Sequence, residues 1–160
     1  MLLWISCFYF KGATNGAVVI WNIGRSTKPK YIFQEHERTI NRVTFHPSET
    51  NYLLSGSQDG LIKLFDIRGS SAAISIFPTN AQSVRDVSFC PHGNGHLFAT
   101  GLENGQIQLW DVRRYNGLVY FFTCLTNTFF CFNFRPEKPE RKITAHSDHI
   151  FAIDWHPESR

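Results

Sequence analysis

Clustered basic charge is missing from this chain. Sixteen Lys and Arg against thirteen Asp and Glu leave a net charge of +3, and the cations are scattered. That excludes the concentrated basic face a nucleic-acid binder needs, so no nucleic-acid partner is expected. Cysteine is equally sparse. Of four cysteines in 160 residues, only Cys90 falls within the patterned sequence, while Cys7, Cys124 and Cys131 sit in two odd segments. A disulfide-stapled scaffold is therefore excluded, and a reducing, cytoplasmic setting is expected. Cys90, His92 and His96 lie close together, but no fourth ligand follows at zinc-site spacing, so the stretch reads as a polar turn and no metal or other cofactor is expected. The opening run Met1–Phe10 lacks the basic region and small-residue cleavage site of a signal peptide.

What is present is ordinary globular material, 42% hydrophobic and 18% charged, enough for one modest domain. It is also repetitive. Leu53–Arg68 (LLSGSQDGLIKLFDIR) reads as two short strands around an Asp-Gly turn. Gly tolerates positive φ there, Asp bonds locally, and Ile62 and Leu64 alternate at the strand period of two. Gly12–Asn22 (GATNGAVVIWN) and Leu97–Arg113 (LFATGLENGQIQLWDVR) are further copies. Their last apolar residues, Trp21, Phe65 and Trp110, fall 44 and 45 residues apart. Before two of the hairpins come VTFHP (Val43–Pro47) and VSFCP (Val87–Pro91), 44 apart, each a strand stopped by proline. Four strands in about 40–45 residues with a terminal Trp-Asp is the signature of a propeller blade.

The pattern predicts one complete blade from Tyr31 to Arg68, opened by the strand Tyr31–Phe33. A second opens at Ile74–Pro78 and runs through Val84–Pro91 to Arg113. The fold class expected is all-β: two complete blades flanked by partial ones, with residues 12–114 as blades and 135–160 starting the next. After Arg114 the pattern breaks. Tyr115–Phe134 carries no charge and six Phe in 20 residues. Removing it brings Phe89-to-Trp155 close to one period and His36-to-His146 to two. A membrane-spanning helix fits its length, but its Asn and Thr are costly in a bilayer. A structured insertion is a second reading. The favoured one is translated intron, since Phe, Leu, Tyr, Cys and Asn are what T-rich and A-rich non-coding DNA encodes. Residues 1–11 look like the same kind of extraneous segment.

The hairpins resemble those of WD-repeat proteins, which form β-propellers. GATNGAVVIWNIGR, EHERTINRVTFHPSE, LLSGSQDGLIKLFDIR, SVRDVSF and AHSDHIFAIDWHPE resemble, in order and spacing, the WD-repeat subunit of the GATOR-type complex. The resemblance implies an N-terminal propeller fragment, without that subunit's zinc-binding RING-type region. It implies a non-enzymatic scaffold that relays amino-acid sufficiency to the TOR kinase at the lysosomal surface. Partners would be other protein subunits, not nucleic acid or a small-molecule substrate, with membrane contact only indirect. A fragment of few blades leaves strand edges and apolar faces uncovered.

In such repeats a loop His, a strand Ser or Thr, a turn Asp and the Trp share hydrogen bonds. The resemblance places these roles on His36, Ser55 and Asp59, with Phe65 in the Trp position and so only a triad. In the next blade it places them on Asn80, Thr100, Asn104 and Trp110. The blade-terminal positions are Trp21, Asn22, Phe65, Asp66, Trp110 and Asp111. These are structural assignments: Ser55 lies inside a strand, a poor place for a nucleophile. Asp66-Ile67-Arg68 and Asp111-Val112-Arg113 also fit the WD-x-R pattern of cullin ubiquitin-ligase substrate receptors, which makes that the alternative function. The plainer reading is a strand end with a solvated Arg.

Overall fold

The computed structural model describes residues 8–22, 28–69, 72–80, 83–92, 95–115, 118–121, 130–133, 139 and 141–155. Thirteen strands are formed among them, with one 3-10 turn at Val112–Tyr115 and no α-helix. The first sheet holds β1 (Phe8–Gly12), β2 (Ala17–Asn22) and β3 (Pro29–Gln34) in that order. The second runs β4 (Ile40–Phe45), β5 (Tyr52–Ser57), β6 (Leu61–Asp66), β7 (Ser75–Pro78). The third contains β8 (Val84–Phe89), β9 (Leu97–Leu102) and β10 (Gln106–Asp111). β11 (Leu118–Phe121) and β12 (Phe130–Asn133) pair only with each other, and β13 (Arg141–Thr144) returns to β10 of the third sheet.

All pairing is antiparallel, so each sheet is built by short connections between sequence neighbours. Strands β5 and β6 are buried on both faces, because the second sheet is sandwiched. Val18, Ile20 and Phe33 of the first sheet meet Leu53 and Phe65 of the second. On its other face, Leu54, Ile62, Leu64 and Phe77 meet Val84, Val87, Phe98 and Trp110 of the third. Burying side chains of this size contributes roughly 1.5–3 kcal/mol each.

Close approach between sheets depends on glycine. A Cβ on Gly56 would lie 2.6 Å from Val84 Cγ1 and 2.7 Å from Val87 Cγ2. Gly101 stands in the same relation to Ile150, whose Cγ2 would lie 2.7 Å away. Gly60 closes the β5–β6 turn at a φ of 80°, where an L side chain would be strained.

Three boundaries differ from the sequence expectation. The repeat and the sheet are out of phase by one strand. Tyr31–Phe33, expected to open the second blade, pairs with β2 through Val19↔Ile32 and Ile20↔Tyr31. Ser75–Pro78 likewise completes the second sheet, and Arg141–Thr144 the third. Each outer strand stays with the hairpin just before it, pairing antiparallel with that hairpin's second strand. At the start, Phe8–Lys11 lies in β1, with Lys11 opposite Val19, so the first sheet reaches into the segment 1–11. At the end, Ile150–Trp155 forms no strand, yet it already sits beside the third sheet. Ile150 N–H bonds Leu102 O at 3.2 Å, and Trp155 Nε1–H bonds Ser88 O at 3.2 Å. It reaches that place with residues 115–134 still in the chain, because they fall between β10 and β13 in sequence. Their described parts form the separate β11–β12 hairpin. The rest of 115–134, and of 1–7, lies outside the described residues.

Candidate functional site

The second sheet's upper turn brings His36, Ser55 and Asp59 together. β4 is entered by the loop bearing His36, β5 carries Ser55, and Asp59 occupies the β5–β6 turn. His36 Nε2 lies 2.6 Å from Ser55 Oγ, and His36 Nδ1 lies 2.8 Å from Asp59 Oδ2. Asp59 also accepts Leu61 N–H at 2.9 Å and Glu37 N–H at 3.2 Å. Burial pushes the Asp59 carboxyl up, but the His36 hydrogen bond and charge, with the two backbone donors, outweigh it and hold it below the usual carboxylate range. Phe65, without a donor, packs wholly buried against Phe33. The set has the composition of a hydrolase triad, but Ser55 is 0% exposed. The contacts observed satisfy these buried polar groups.

The third sheet does not assemble the same network. Asn80 is exposed on left-handed backbone at φ 63°, Asn104 caps its own turn by accepting Gln106 N–H, and Thr100 Oγ1 donates to Asp86 O. Trp110 is 1% exposed, and its Nε1–H has no partner among the described residues; neither does the Oε1 of buried Gln108. Asn in place of His is too short to bridge the turn to the strand.

At the opposite ends of the hairpins, Asp66 and Asp111 each hold an arginine two residues on. Arg68 reaches Asp66 Oδ2 at 2.8 Å, and Arg113 reaches Asp111 Oδ2 at 2.6 Å. The arginine hydrogen bonds depress both carboxyls. Arg68 also lies over the Tyr52 ring. Between these ends opens a groove of about 670 Å³ lined by Tyr52, Leu64, Ile74, His96, Val112 and Arg113. Trp21 lies 5.7 Å from Tyr9, directly opposite it across β1 and β2, with the rings tilted by 45°. Asn22 ends β2. Among the described residues no group of three His, Cys, Asp or Glu side chains could hold a metal; Cys90 is buried, and no helix is long and apolar enough to cross a membrane.

Two features escaped sequence reasoning. His46 is buried, packs 4.8 Å from Phe89, and accepts Glu49 N–H at Nδ1 over 2.9 Å. Burial lowers its pKa more than the Gly95 carbonyl and Glu49 raise it. The His-Pro dipeptide before a turn was the available signal. Asp86, also buried, joins three successive inner segments. It lies 3.2 Å from Arg42 Nε, accepts Val87 N–H at 2.9 Å, and accepts Ile153 N–H at 2.8 Å.

Comparison with known proteins places this geometry. The WD domain, G-beta repeat family model matches residues 27–66 and 72–111. The GATOR2 complex protein WDR24 of Danio rerio is 45% identical over 150 residues, covering 92% of this chain and 16% of the relative. That of Drosophila melanogaster is 41% identical over 151 residues, covering 91% of this chain and 16% of the relative. Restriction of telomere capping protein 1 of Kluyveromyces lactis is 31% identical over 153 residues, covering 90% of this chain and 11% of the relative. The chain thus spans 16% or less of the length of these curated relatives. A chain from the crystal structure of the mitotic checkpoint complex superposes with a TM-score of 0.73 at 20% identity, covering 95% of this chain and 38% of that one, a likeness of fold. The repeat match covers half of the sequence and coincides with the paired hairpins, and the chain, a partial β-propeller, belongs to the WD40-repeat family.

Proposed function

We propose that this chain is propeller from a scaffold subunit of a GATOR2-type complex, acting without catalysis in amino-acid signalling to the TOR kinase. The observation that carries this is the 45% identity to a GATOR2 complex protein across 92% of the chain. The buried state of the Ser55–His36–Asp59 set supports a structural role for those residues. Partners on this reading are other protein subunits. Its place is the cytoplasm, meeting the lysosomal membrane only through the complex. Nucleic acid, cofactor and small-molecule substrate play no part. The test is affinity purification of the full-length parent protein from amino-acid-fed and starved cells. Recovery of GATOR2 subunits, and loss of TOR-substrate phosphorylation on depletion, are the expected results. Stable recovery of a cullin ligase adaptor instead would favour the substrate-receptor reading, which rests on the exposed Arg68 and Arg113.

A further inference from the structure

The buried His46 ring joins two sheets. His46 follows β4 and heads the turn into β5. Its backbone N–H bonds Tyr52 O at 2.9 Å, and Tyr52 N–H bonds Glu49 O at 2.9 Å. The ring is used at both nitrogens. Nδ1 faces Glu49 N–H at 2.9 Å and Ser48 N–H at 3.3 Å. A ring nitrogen that meets two N–H donors carries no proton, which assigns the proton to Nε2. Nε2 lies toward Gly95, just before β9 of the third sheet, and the Gly95 carbonyl is its acceptor. A Cβ on Gly95 would stand 2.6 Å from Nε2, so the glycine is what admits the ring. One neutral imidazole therefore closes its own turn and rests on the neighbouring sheet.

We infer that His46 is a proton-operated latch between the second and third sheets: a proton on Nδ1 opens the turn at residues 47–51 and leaves the sheets themselves paired. Protonation sets a donor against two donors, so Nδ1 releases Ser48 and Glu49, while Nε2–H keeps its carbonyl. The Phe45–Leu53 pairing beneath the turn does not involve the ring. The surroundings fix when this happens. Burial is the strongest influence and opposes the charged ring. Glu49 on the same turn favours the charge, and His96 at the head of β9 opposes it. Phe89 of β8 and Tyr52 of β5 present aromatic rings. Arg113, beyond β10, lines the same groove but is paired with Asp111. Ser48, Glu49 and Tyr52 form one wall of that groove, so opening the turn loosens the wall.

Hydrogen exchange of the full-length parent protein tests this, read at the Ser48 and Glu49 amides and corrected for the intrinsic rate at each pH. The opening constant should be flat above pH 6.5, rise about tenfold per pH unit below it, and level off beneath the ring's lower value in the closed turn. The amides of β5 and β6 should stay protected through that window. His46→Asn offers an amide oxygen near the place of Nδ1 and should exchange slowly with no pH response. His46→Phe offers no acceptor and should exchange fast at every pH. Flat exchange at residues 48 and 49 in the unaltered protein overturns the latch, as does a pH response that survives in His46→Asn. Loss of β5 and β6 protection at the same pH overturns the local opening. If His46→Asn does not fold, the profile of the unaltered protein, set against β5 and β6, decides alone.

Discussion

His36 Nδ1 and Asp59 Oδ2 stand 2.8 Å apart across 23 residues of chain, tying the loop that enters β4 to the turn that leaves β5. Asp59→Ala removes this acceptor and strands His36 in a buried site. The expected loss is about 1–3 kcal/mol, read as a lower midpoint in urea for the closed, full-length propeller. An unchanged midpoint would show that the pair contributes nothing.

The same carboxyl sets an acid limit. Its pKa is depressed in the folded state from a starting value of 3.8. Its contribution is therefore complete above the unfolded value, near pH 4, and lost as pH falls through the lower folded value. Asp59→Asn should flatten the stability–pH curve in that acid window and leave its slope near neutrality unchanged.

His46 acts in the next window up. Burial lowers its pKa from 6.5, so folding favours the neutral ring. Stability should be unaffected by His46 above pH 6.5 and should fall as pH drops from there through the folded value. Replacing His46 by Gln, which keeps an acceptor for Glu49 N–H, should remove that slope. A slope that survives in the variant assigns it elsewhere.

Gly56→Ala places a methyl group against Val84 and Val87 of the neighbouring sheet. Overpacking at such a contact costs about 1–3 kcal/mol. Val84→Ala in the same chain should recover part of this, and a double-mutant cycle in urea would show the coupling.

Trp110→Phe should cost little, under about 1.5 kcal/mol, because the indole N–H being removed has no partner among the described residues. The ring's contacts with Phe77 and Phe98 remain available to Phe. Phe65 already fills the matching place in the second sheet.

The hairpins were legible because their signals are local. Asp59-Gly60 and Asn104-Gly105 demand turns, and Ile62 and Leu64 alternate on either side of Lys63. The His36–Ser55–Asp59 set was legible only through family resemblance. Its distances depend on a loop meeting a strand and a turn 19 and 23 residues further along the chain. The one-strand offset was not legible. Tyr31–Phe33 lies one short link from the hairpins on both sides, and only the backbone pairing with Val19 and Ile20 decides which sheet receives it. Arg42 and Asp86 were invisible for a related reason. Nothing local marks them as neighbours until two inner strands lie side by side.

The offset between repeat and sheet also governs how this chain could come apart or grow. Every repeat lends its opening strand to the sheet before it, as Tyr31–Phe33 does. A cut between repeats therefore frees no intact sheet; it leaves one short of a strand and another with a strand to spare. A duplicated repeat, by contrast, inherits both the loan and the debt, so a new unit drops into the row with every edge matched to its neighbours.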